Sequence, residues 1–154
     1  MYTEQMTQGL CLGTPIPPQQ LTTTTTLTSG AIDMQVLRRA LFVLNLGAFG
    51  GTSPTCSAVI TLQESPDNST WSNNATIPTT TVNAASTGGT VEVRAGQLGA
   101  GKRYARVSIV FTIGGTSPTI PVACLALGGE ANHKPASLKN DTTTYPTANQ
   151  TVVN

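Results

Sequence analysis

Few side chains here can move a proton, attack a carbonyl or hold a metal: one histidine, His133, three cysteines, Cys11, Cys56 and Cys124, and seven carboxylates. Acid–base catalysis needs a titratable group held beside a partner, and no motif sets His133, in ANHKP, next to a nucleophile or an acid. Glu64 and Asp67 flank the segment SPDNST. Paired carboxylates hydrolyse glycosidic bonds when they face each other across a cleft, but beside a turn they read more plainly as a solvated turn. The acids are too scattered for a calcium loop, because the stretch from Asp67 to Thr70 has no closing bidentate glutamate at the required offset. The cysteines are widely spaced, form no CxxC pair and have one histidine to help them, so neither a zinc site nor a disulfide framework is predicted. Cys56 and Cys124 sit in apolar strand patterns, where cysteine behaves as a small hydrophobe. The expectation is a chain with no catalytic residues, no cofactor and no metal, and not an enzyme.

Composition narrows the partners. Only 10% of the 154 residues are charged, and the formal net charge is +1. That leaves no basic stripe to displace counterions from phosphates, so no nucleic acid is expected. No apolar run reaches the roughly 18 residues of a membrane-spanning helix, so no membrane is expected either. The opening MYTEQMTQGLCLG lacks the basic and apolar regions of a secretory signal, which predicts synthesis and retention in the cytoplasm. Sequons at Asn68, Asn74, Asn140 and Asn149 carry no weight in a chain so rich in Asn and Thr.

The surface must then be polar without being charged. The chain has 27 threonines, and a β-branched side chain suits a pleated, half-exposed surface. Fifteen glycines and ten prolines fall mainly between apolar runs, as turns require. Alternation supplies the strands. Cys56, Ala58, Ile60 and Leu62 share one parity, as do Ala105, Val107, Ile109, Phe111 and Ile113. RRALFVLNLGAF, residues 38–49, is apolar at both parities, as a strand covered on both faces would be. LTTTTTLT predicts a weakly buried strand, and residues 77–82, 90–94 and 120–127 complete the set. The resulting expectation is an all-β chain: a single β-sandwich, jelly-roll-like, of about seven or eight strands over residues 21–130. An extended N-terminal arm (1–20) and an extended C-terminal tail (131–154) flank it. GGTSPT occurs twice, at residues 50–55 and 114–119, each copy joining two predicted strands. Two hairpins with the same loop suggest related positions in two halves of the sandwich. The double glycine offers no phosphate cradle, since no lysine follows and no helix begins there. Two small basic clusters, Arg38 with Arg39 and Lys102 with Arg103 and Arg106, would either meet acidic neighbours or guard strand edges.

The segments AIDMQVLRRALFVLNLGAF, LQESPDNSTW, GKRYARVSIVFTIGG and VACLALGGEANHKP together resemble the capsid decoration, or cement, proteins and minor head proteins of tailed bacteriophages. The likeness runs from Ala31 to Pro135, and its most specific pieces are residues 62–71 and 102–107. It implies a structural virion protein, made in the host cytoplasm, that binds the outside of the capsid and bridges neighbouring capsomers. Its implied partners are the major capsid protein and itself, as a homotrimer or dimer. The sequence departs from the pattern where such proteins often carry Asp-Gly: here Asn68 follows Asp67. A neck or tail adaptor, or a glycan- or receptor-binding sandwich of a tail or fibre, is the competing reading; with one Trp and three Tyr the supply of stacking aromatics is thin. Bulky or stiff groups in the two arms are the predicted protein contacts: Tyr2, Ile16, Pro17 and Pro18 in one, His133, Lys134, Tyr145 and Pro146 in the other.

Overall fold

Alternating apolar side chains set the longest ladders of the structure, a computed structural model that describes residues 9–132. Its ten strands are β1 (Leu10–Leu12), β2 (Ile16–Leu21), β3 (Thr25–Thr28), β4 (Ile32–Asp33), β5 (Leu37–Leu46), β6 (Gly50–Ser65), β7 (Ser72–Asn73), β8 (Thr80–Val82), β9 (Gly88–Arg94) and β10 (Tyr104–Ala131). One short 3-10 turn, Ala95–Gln97, interrupts them. Every ladder is antiparallel, as expected of hairpin-rich chains whose apolar residues alternate.

The 28-residue β10 is the spine. Its first half pairs with β6 on one side and with β3 and β4 on the other. The second half pairs with β5 on one side and with β1 and β2 on the other. Outside these lie β9, on β5, and β7 and β8, on β6. The sheet therefore folds over into two layers. Layer A holds β1, β2, the second half of β10, β5 and β9; layer B holds β3, β4, the first half of β10, β6, β7 and β8. This is an all-β, sandwich-like fold with ten strands where seven or eight were expected. The predicted strands over 103–113 and 120–127 turn out to be one continuous strand.

One parity of each long strand faces inward. Phe42 and Leu44 from layer A meet Phe111, Ile109, Ile60 and Leu62 from layer B in a single core, each under 2% exposed or at that limit. The layers touch directly: a Cβ on Gly89 of β9 would lie 2.6 Å from Val82 Cγ2 of β8 and 3.2 Å from Ile60 Cδ1 of β6. Burying a large apolar side chain in such a core contributes about 1.5–3 kcal/mol.

The two GGTSPT segments are not hairpin loops. Both lie inside strands and run antiparallel against each other, with Gly114 opposite Thr55, Thr116 opposite Thr52 and Thr119 opposite Gly50. The same two positions in each copy take left-handed backbone: Gly51 and Gly115 at φ 107° and 108°, Ser53 and Ser117 at φ 49° and 48°. A Cβ on Gly51 would sit 2.5 Å from the Ser117 carbonyl oxygen, and one on Gly115 2.7 Å from that of Ser53. The repeat is thus a local two-fold corner at which β10 passes from layer B to layer A, beside the start of β6. Hairpin loops in two separate halves were expected; instead the two copies pair with each other at one corner, where their turn chemistry serves a bend with bulges rather than a chain reversal.

Two further expectations change. Residues 10–20, expected in the N-terminal arm, are built with Leu21 into layer A, where β1 and β2 pair with β10. LTTTTTLT is not one strand: β2 ends at Leu21, the chain crosses between layers, and β3 starts at Thr25. No helix among the described residues is long and apolar enough to cross a membrane, which says nothing of strands.

Candidate protein interface

Of the predicted contact residues, Tyr2, His133, Lys134, Tyr145 and Pro146 lie outside the described residues. Ile16 is corrected: it is 4% exposed and part of the core, because it opens β2 opposite Cys124 with its side chain on the inward parity. Pro17 and Pro18 are exposed on the same strand. They fall where the register slips between the pairs Val122–Gln19 and Cys124–Ile16, so β2 carries a bulge at its prolines. Proline has no N–H to offer, and β2 has a ladder on one side only, so this edge is a poor template for a further strand. Beside it, Pro18, Gln20, Asn45, Gly47, Pro121 and Ala123 line an open groove of about 430 Å³.

All five described carboxylates are held by structural partners. Glu64 was expected in a solvated turn, but it is 6% exposed, since it continues the inward parity of Ala58, Ile60 and Leu62. Its Oε2 accepts hydrogen bonds from Asn74 Nδ2 at 2.6 Å and from the Gly99 amide at 3.0 Å. Asn74, also buried, donates to the Gln97 carbonyl and accepts from the amides of Thr76 and Ile77. This hub fastens the loop after β7 and the turn after β9 to β6. Asp67 instead caps its own turn, accepting from the Ser69 and Thr70 amides at 2.9 and 2.8 Å and from the Ser65 hydroxyl. The two amide bonds hold its carboxyl well below the usual range. Asn68 takes the left-handed φ of 60° that the turn requires.

Within the basic clusters Arg39 and Arg103 meet acidic neighbours and Arg106 an aromatic one, while Arg38 donates to Asn132 and Lys102 to Ser72. Arg103 grips Asp33 through two hydrogen bonds, which raise its pKa. Arg39 Nε lies 2.6 Å from Glu130 Oε1 and its Nη1 3.7 Å from Glu92 Oε1. The buried Nε–H is not aimed at an acceptor, so that contact is charge on charge rather than a formed hydrogen bond. Arg106 stacks 4.0 Å over the ring centroid of Trp71 and donates to Gln63, which donates to Asn73. One face of the chain's tryptophan is therefore already covered, as cation–π packing favours. Cys11, Cys56 and Cys124 are buried and no disulfide joins them. Burial pushes the thiols of Cys11 and Cys124 up to about 11 and raises that of Cys56, away from the reactive thiolate. No group of three or more potential metal ligands occurs among the described residues.

What the described surface does offer is two unlike sheet faces. Outward from layer B point Thr26, Thr28, Ser57, Thr61, Gln63, Ser108 and Thr112, with exposed Val110 and, opposite it, half-buried Val59 among them. From layer A point Leu12, Leu41, Val43, Leu125 and Leu127, half-buried, with Leu10 exposed at the rim. A second groove, of about 350 Å³, lies there between Leu10, Leu41, Leu127, Arg39, Glu92 and Glu130.

Neither a family model nor a curated protein matches the chain. Among solved structures, it is similar to the PBSX exported protein XepA, with a TM-score of 0.54 and 16% identity over 86% of this chain. The match spans 41% of that protein's length. At such identity the likeness is one of fold.

Proposed function

We propose that this protein is a structural component of a phage virion, a head decoration or cement protein. On this reading it binds the major capsid protein on the outside of the shell and bridges neighbouring capsomers. The observation that carries the reading is the shared fold with the phage PBSX exported protein, found for a chain whose sequence already resembles minor head proteins. Other features support it. Each described carboxylate and each buried thiol is committed to packing or to a structural partner, which fits a protein without catalysis. Low charge and broad sheet faces suit many weak contacts repeated over a symmetric surface, where multivalency multiplies affinity. The stacking of Arg106 on Trp71 leaves less aromatic surface for a sugar, which favours the shell over glycan binding.

The test is addition of purified protein to expanded shells that lack it, read by co-sedimentation and by particle imaging. Saturable binding at every equivalent capsomer is expected. Binding confined to one vertex would mean a neck or tail adaptor, and no binding would sink the reading.

A further inference from the structure

A sheet face rich in leucines beside one made mostly of threonines and serines, with Val59 and Val110 as its valines, is a difference that water alone does not favour. On layer A the apolar side chains form rows across the strands. Leu12 lies opposite Leu127, and Leu127 opposite Leu41; one step along, Leu125 lies opposite Val43. Leu10, 37% exposed, closes one end. The central strand β5 is apolar at both parities, the pattern of a strand covered on both sides, yet among the described residues its inner side is buried and its outer side only half-buried.

We propose that the outward face of layer A is covered by a second copy of this chain. Three observations select that occupant. First, the rim carries both signs of charge close together, Arg39 with Glu92 and Glu130, so the same patch can complement itself when turned about a two-fold axis. A net charge of +1 adds no general repulsion between copies. Second, the size fits. β5 has 10 residues, β9 has 7 and the β1–β2 edge has 3 and 6; with the half of β10 that pairs with β5, at about 3.3 Å rise and 4.8 Å spacing, the face comes to on the order of 550 Å² per copy, or about 1,100 Å² per pair, just above the roughly 1,000 Å² that a specific interface should clear. Third, the chain's own remaining segments match the face poorly. Residues 133–154 contain only Leu138, Tyr145, Val152 and Val153 as large apolar side chains, and residues 1–8 only Met1, Tyr2 and Met6. None of these makes the run of alternating apolar residues that would lie along a sheet face.

The experiment is the mass of the full chain in solution, by sedimentation velocity and light scattering across a concentration series. The wild type is expected to be a dimer or a higher assembly, and Leu41→Asp to shift it to monomer by at least tenfold in apparent Kd. Val110→Asp, on layer B, is expected to leave the mass unchanged. Should Leu41→Asp fail to fold, the milder pair Val43→Thr and Leu125→Thr must weaken association in a protein with native circular dichroism. A monomeric wild type overturns the proposal, as does a folded Leu41→Asp protein of unchanged mass. So does a monomer in which Lys134 or Lys139 cross-links to Glu92, which would make the chain's own end the cover. Shell binding is measured separately on the same variants. An oligomer that binds no shell counts against the virion reading alone, and a monomer that binds shells counts against this face alone.

Discussion

Layers A and B are two parts of one folded sheet and share a spine, yet they turn opposite chemistry to the outside. The contrast is clearest along β10. Its outward residues in layer B are Ser108, Val110 and Thr112; in layer A they are Ala123, Leu125 and Leu127. Inward residues do not differ in this way: Ile109 and Phe111 in one half, Val122 and Cys124 in the other, are all buried. Folding therefore demands the same thing of both halves, and only the outside tells them apart. What differs outside a core is set by what the surface meets, and it is this difference on which the proposed pairing of layer A rests.

Mutations can break or sharpen that contrast. The largest effect is expected where both layers agree: Phe111→Ala should cost about 3–5 kcal/mol, measured by chemical denaturation, because it leaves a cavity between the layers. A smaller loss would mean that the layers do not share one core. Next comes the corner that joins them. Gly51→Ala and Gly115→Ala each force a Cβ against a carbonyl oxygen at left-handed φ, so each should cost roughly 1–3 kcal/mol, and by similar amounts. Unequal losses would break the local two-fold.

Glu64→Ala strips the acceptor from buried Asn74 and from the Gly99 amide, and about 1–3 kcal/mol should be lost in the same assay. Asp67 gives a smaller, pH-dependent effect. Its folded pKa is depressed, so its stabilisation is present above the unfolded value of about 4 and is lost as pH falls through the folded one. Asp67→Asn should thus lower Tm at pH 7, with the gap to wild type closing in acid; a gap independent of pH would refute the assignment. Last, Thr61→Asp on the outward face of layer B should change stability by less than about 0.5 kcal/mol.

Much of the layer pattern was legible in the sequence, because period-two alternation reports burial directly. Cys56 to Leu62 and Ala105 to Phe111 lie inward as their parity predicts. Extending that parity by one step would also have placed Glu64 inside; the acid's proximity to a turn obscured it. The prolines within residues 10–20 signal extended backbone, but extension does not reveal pairing. Pro17 and Pro18 suit an edge strand as well as an arm, and only the partner β10 decides between them. The corner was illegible for a similar reason. Gly, Ser and Pro signal a bend, and whether the chain then reverses or continues depends on a strand 64 positions away in the repeat. Of the candidate interface, the double parity of β5 is the signal in the sequence: it is the pattern of a strand covered on both faces, and the outward Leu41 and Val43 are half-buried.

The spine has a consequence for how the protein comes off the ribosome. Among the described residues β1 and β2 find their ladders only on the second half of β10, and β5 has β9 alone until that half arrives. Leu37 waits for Ala131. A nascent chain can close hairpins as it lengthens, but layer A has no centre until nearly all of the described sequence has been translated. Such late, long-range closure makes folding slow and leaves apolar strands open meanwhile. A message cut short before residue 131 would yield a chain that aggregates rather than a smaller version of the fold.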